Sequence, residues 1–201
     1  MLKRNEIKMF NENRSFWSTI TNMLILSNLL AYMFTSIAGR NFITTKIDLI
    51  MLLGQSNFLV IKGWHWQLFT SMFIHVNIIH LLGNMLFLLI FGLKAEELFS
   101  KKLYLGIYFS SGLLGNLLSL LMGPYTISAG ASGAIFGLFG ACVTYMRKTA
   151  KQSILGALIY SFYLFIITMG ANVNFLSHFG GLIAGLTIGY LQARKEEKYF
   201  Y

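Results

Sequence analysis

Four polar side chains stand out because they lie inside long apolar runs: His80, Asn84, Ser132 and His178. A serine hydroxyl becomes a nucleophile when an imidazole can take its proton. The oxygen that then gains charge needs N–H donors close by. Ser132 stands at the start of one apolar run and His178 near the start of another. The stretch Gly130-Ala131-Ser132-Gly133 permits a sharp turn into a helix and close approach of a second backbone. A serine there would sit at a helix N-terminus, beside free backbone N–H groups and the positive end of the helix dipole. His80 and Asn84 are four residues apart and so share one helix face. An asparagine amide is a good donor to a developing oxyanion, and a histidine N–H can assist it. No third triad member is in place, because Asp48 is the only aspartate and falls in a loop. A Ser-His dyad is the arrangement that remains.

The elements that must position these residues are apolar. Of 201 residues, 56% are hydrophobic and 11% charged, and Pro124 is the single proline. A soluble domain would carry roughly 25% charged residues. The hydrophobic residues come in unbroken runs, which points to a polytopic all-α membrane protein. The runs cover about 16–38, 68–93, 103–123, 131–146, 153–171 and 175–192, six spans in one bundle. Residues 1–15 form a polar tail, 39–67 a long first loop, and 194–201 a basic tail. Trp64 and Trp66 in that loop suit headgroup depth. The first run follows a basic segment and ends in Ser36-Ile37-Ala38, which imitates a cleavable signal. It is too long for one, and five more spans follow, so it is read as uncleaved.

Basic residues set the orientation. With both termini cytoplasmic, 13 of the 16 lysines and arginines face inward, and only Arg40, Lys46 and Lys62 face outward. The glutamates then all fall on the inner side. The net charge of +9 is explained by this bias and calls for no nucleic acid. The fourth and sixth spans both start outside, so Ser132 and His178 share a depth near the outer face. Residues 131–146 cover only about 24 Å as a helix, short of the ~30 Å hydrocarbon core. Ser132 is therefore expected below the membrane surface, in a polar cavity that supplies water.

Plainer roles suit other residues. His65 and His75 read as structural histidines, with His75 a candidate to line the cavity. The spacings Gly133-xxx-Gly137 and Gly181-xxx-Gly185 read as close contact between spans four and six. Ala134 breaks the G-x-S-x-G pattern, so a nucleophile elbow is not available. No spacing of His, Cys or Glu suggests a metal site, and Cys142 is a small packing residue. A transporter with His80, Asn84 and His178 along its path would show inverted repeats, and none is found.

Three stretches now resemble the motifs of rhomboid intramembrane serine proteases. They are Gly130-Ala131-Ser132-Gly133, then Ser177-His178-Phe179-Gly180-Gly181, and the segment from His75 through His80 to Asn84. They occur in the family's order, over roughly residues 62–192, and the six-span layout is similar to the minimal bacterial form. The resemblance implies Ser132 as nucleophile, His178 as general base, and an oxyanion hole of Asn84, His80 and the Ser132 backbone N–H. It implies a structural role for Glu96 on the cytoplasmic side, and no cofactor. It also implies single-pass transmembrane substrates, cut in the lipid bilayer of a bacterial plasma membrane. A rhomboid-like protein that binds membrane helices without cutting them is the rival reading, and it has no need of the Ser132/His178 pair. Two positions depart from the family pattern. Gln67 follows Trp66 where many members have arginine, which removes an arginine-based loop tether. Phe136 stands where some members have tyrosine; it can stack on the histidine but offers no hydroxyl.

Overall fold

The computed structural model describes residues 19–149, 156, 159, 162, 163 and 174–197. Helix α1, Ile20–Gly39, starts where the Thr19 hydroxyl accepts the Asn22 N–H at 3.2 Å. It stops where Arg40 adopts a left-handed conformation. Helix α5, Ile78–Leu98, is capped by Asn77, whose side chain accepts the His80 N–H at 2.7 Å. Helix α6, Lys101–Ser119, is capped by Ser100 and runs on into a 3₁₀ turn, Leu120–Met122. These three segments are long and apolar enough to cross a membrane. On α1 the outward residues Met23, Leu26, Leu30, Met33, Phe34 and Ile37 are exposed and apolar, which suits lipid rather than water.

Between α1 and α5 lie short helices α2 (Ile47–Leu53), α3 (Asn57–Ile61) and α4 (Gln67–Thr70), then a 3₁₀ turn, Ser71–Phe73. The apolar run at 68–93 is thus not one helix. Its first ten residues belong to the loop, and α5 begins only where Asn77 can cap it. Hydropathy alone does not separate a buried loop from a span, because both are apolar. Residues 43–45 clamp this junction: the Thr45 N–H donates to the Val76 carbonyl at 2.9 Å, and the Ile78 N–H to the Ile43 carbonyl at 3.0 Å. A two-stranded antiparallel sheet pairs β1 (Gln55–Ser56) with β2 (Ile127–Ser128), so the first loop is joined to the segment ahead of Ser132.

Helix α7, Ser132–Lys148, is central: every residue from Ser132 to Cys142 is buried, which fits an element covered on all sides. It packs on α5, α6 and the last helix, α8 (Phe175–Glu197). At 17 residues it spans about 26 Å, less than the bilayer core. The helix continues to Glu197, so residues 194–197 of the expected tail are helical. The expected fifth span at 153–171 lies outside the described residues except for Gly156, Ile159, Phe162 and Tyr163, which are helical. The expected tail at 1–15 lies outside them altogether. The core is filled by Phe91, Tyr104, Ile107, Tyr108, Ile135 and Leu138, all fully buried.

Candidate active site

Ser132 is the first residue of α7, and no side chain caps that end. The N–H groups of the first turn therefore have no partner within the helix. Gly130 makes the turn into α7 possible. Its φ of +132° is a conformation that side-chain-bearing residues avoid. Its N–H donates to the Ser71 carbonyl at 2.9 Å, which fixes the turn to the first loop. An added Cβ on Gly130 would lie 3.0 Å from His80 Nε2 and 3.8 Å from Ser132 Oγ. The His80 ring and the serine hydroxyl therefore face the same small space.

Ser132 Oγ lies 2.8 Å from His178 Nε2. The two residues come from α7 and α8, and both are nearly enclosed, at 7% and 8% exposure. Where Nε2 accepts the serine proton, the imidazole carries its own proton on Nδ1. The Phe136 ring stacks on the His178 ring, with centroids 4.5 Å apart and planes at 10°, and Phe162 packs against Phe136 in turn. The stacked Phe136 ring restricts rotation of the imidazole.

Close backbone approach sets the distance between the two helices. A Cβ on Gly181 would stand 2.0 Å from the Gly133 carbonyl oxygen, and one on Gly185 would stand 1.9 Å from that of Gly137. No side chain fits between α7 and α8 at these two levels.

Asn84 is buried one turn after His80, and its Nδ2 donates to the His80 carbonyl at 2.8 Å. One N–H of the amide is left over. Asn84 Oδ1, His80 Nδ1 and His75 Nε2 are buried without a protein partner. The His75 and His80 rings meet edge-on at 5.2 Å, and His75 is fully buried. A cluster of unfilled polar atoms beside a serine-histidine pair has the character of a wet site rather than a packed core. Glu96 is remote from it. Its Oε1 accepts the Thr21 N–H at 2.6 Å and so ties α5 to the start of α1.

Gln67 ties together two stretches of the first loop. It is fully buried, donates to the Met51 carbonyl at 2.6 Å, and accepts the Ser56 N–H at 2.9 Å. Residues that sequence reasoning passed over hold the same end of the bundle. Asn57 Nδ2 donates to the carbonyls of Ser119 and Gly123 at 2.7 and 2.9 Å. Asn174 Nδ2 donates to the hydroxyls of Ser119 and Ser128 at 2.5 and 2.6 Å. The signal was present, since Asn57, Asn116 and Asn174 are asparagines in or beside apolar runs, as Asn84 is.

A buried serine-histidine pair among apolar helices is the arrangement that a membrane-embedded serine hydrolase would need. The sequence model of the rhomboid domain matches residues 62–195. "Rhomboid-like protease 3" of Toxoplasma gondii is 30% identical over 186 residues, covering 86% of this chain and 68% of its own length. "Rhomboid protease GluP" of Bacillus subtilis is 31% identical over 172 residues, covering 83% of this chain and 33% of its own. "RHOMBOID-like protein 6, mitochondrial" of Arabidopsis thaliana is 38% identical over 134 residues, covering 63% and 43%. The chain spans less than half the length of the last two relatives. It belongs to the rhomboid family, a family of intramembrane serine proteases, and is a protease of that type.

Proposed function

We propose that this chain is an intramembrane endopeptidase that cuts transmembrane segments with a Ser132–His178 dyad, in a cavity open to the extracytoplasmic side. The observation that carries the reading is the 2.8 Å approach of Ser132 Oγ to His178 Nε2 at the N-terminal ends of two helices. His178 takes the hydroxyl proton as Oγ attacks a peptide carbonyl. The charge on the carbonyl oxygen is met by the Ser132 backbone N–H, the spare Asn84 amide proton and His80 Nε2–H. His178 passes its proton to the leaving amine, and an acyl-enzyme remains. Water then gives a proton to His178, attacks the ester, and restores the serine. His75 and Gly130 shape the cavity, Gly133, Gly181 and Gly185 hold the helices together, and Phe136 orients the base.

The same reading has six spans with both termini cytoplasmic, in the inner membrane of a bacterium. Single-pass membrane proteins are the substrates, since a lone helix can unwind near the cavity and offer a carbonyl. No cofactor and no nucleic acid enters it. The test is cleavage of a labelled transmembrane substrate in detergent by wild type, Ser132→Ala and His178→Ala. Cleavage by the wild type alone is expected, with loss of at least about a thousandfold in either variant. Turnover that survives in Ser132→Ala would sink the assignment.

A further inference from the structure

Asn116 lies on α6, one turn before its end, and is 6% exposed. Its Nδ2 donates to the Leu68 carbonyl at 2.7 Å and to the Ser71 hydroxyl at 2.9 Å. Its Oδ1 accepts the Ser177 hydroxyl at 3.5 Å. Its backbone carbonyl accepts Gln55 Nε2 at 2.8 Å. Both amide protons and the amide oxygen are engaged, so the side chain is satisfied in one orientation only.

Each partner leads toward the reacting pair. The Ser71 carbonyl holds the Gly130 N–H at 2.9 Å, two residues ahead of Ser132. Ser177 immediately precedes His178, and its own N–H is held by Asn174 Oδ1 at 3.0 Å. Helix α6 is brought close here by Gly115, where an added Cβ would lie 2.3 Å from the Ser177 carbonyl oxygen. Asn116 itself touches no reacting atom. It stands where the first loop, the turn ahead of Ser132 and the start of α8 are all within one or two hydrogen bonds.

We propose that Asn116 is a positioning residue for the Ser132–His178 pair, fixing the approach of the two helix ends through Ser71 and Ser177. The inference rests on the dyad reading given above. A primary amide is the only short side chain that supplies two donors and one acceptor from one plane. Aspartate matches its shape but would set a charged acceptor oxygen against the Leu68 carbonyl, where the amide donates. Serine would keep one donor. Loss of the amide leaves the fold's apolar packing alone and loosens two segments that must agree to a fraction of an ångström. Misplacement of about 1 Å can cost on the order of a hundredfold in rate.

The experiment compares wild type, Asn116→Ala, Asn116→Asp, Asn116→Ser, Ser71→Ala and the Ser71→Ala/Asn116→Ala double variant. It reads kcat and KM on a labelled transmembrane substrate, and the rate at which a fluorophosphonate labels Ser132, per folded protein. Asn116→Ala is expected to lower kcat and labelling rate by the same factor, roughly 10- to 100-fold, with KM within about twofold. Asn116→Asp is expected to lose at least as much, and Asn116→Ser to recover part of it. The double variant is expected to be no slower than Asn116→Ala, because one path is already cut. Wild-type kcat and labelling in a folded Asn116→Ala variant would overturn the inference, as would fully multiplicative losses in the double variant. Should Asn116→Ala fail to fold, Ser71→Ala carries the test: it must lower kcat and labelling together at constant KM, and unchanged values overturn the inference. Failure of the wild type to label at Ser132 would instead remove the dyad reading, and this inference with it.

Discussion

The loop segments beside Ser132 and the pair of helices that carry Ser132 and His178 are held together by different physics. Beside Ser132, the residues Gln55, Asn57, Gln67, Asn116 and Asn174 join loop, sheet and helix ends through side-chain amides. Along their length, α7 and α8 touch backbone to backbone. A Cβ on Gly185 would meet the Gly137 carbonyl oxygen at 1.9 Å, and one on Gly189 that of Ala141 at 2.4 Å. Cys142 and Met146 are sealed in the same region. Lipid offers no hydrophobic drive for helix association, so close packing of small residues holds these two helices together. Directional bonds hold the shape of the loop and helix ends without filling the space between them.

The contrast can be broken from either side. Gly185→Ala, which forces a methyl into a carbonyl, is expected to cost about 3 kcal/mol and to lower the detergent melting temperature together with all activity. Gln67→Leu is expected to cost about 2 kcal/mol by stranding the Met51 carbonyl and Ser56 N–H. Its signature is early proteolysis or hydrogen exchange confined to residues 47–73, with α7 and α8 still protected. Phe136→Leu removes the ring stacked on His178 and is expected to lower kcat several-fold, about 1 kcal/mol, with no change in melting temperature beyond a few degrees. Gly106→Ala serves as the control. Nothing lies within 4 Å of the added methyl, so it should leave activity intact and stabilise α6 by up to about 1 kcal/mol. A loss in Gly106→Ala as large as that in Gly185→Ala would remove the distinction between a contact glycine and an open one.

Much of this arrangement was legible in the residues. Ser132 and His178 declared themselves as polar groups at the same depth, and the structure has them 2.8 Å apart. The glycine spacings on the fourth and sixth spans read as close contact, and the backbones touch there. The boundary of α5 was hidden, because residues 68–77 are as apolar as a span and only the Asn77 cap marks the start of the helix. The role of Gln67 was hidden too. Its partners are backbone groups of Met51, Leu52 and Ser56, and backbone groups carry no sequence signature. Asn116 obeyed the rule that drew attention to Asn84, but its partners are scattered over the 55–71 stretch and Ser177. Only the folded chain brings those segments together.

The backbone contact between α7 and α8 also bears on how this protein meets membranes of different thickness. A bilayer that is too thick or too thin acts on helices by tilting them, at a fraction of a kcal/mol per ångström. Two rods in contact along their length tilt as one body. Ser132 and His178, mounted on those rods, keep their separation while the pair leans. Lipid chain length should then alter how deep the reaction occurs, and so which bond of a substrate helix is presented, before it alters the speed of the chemical step.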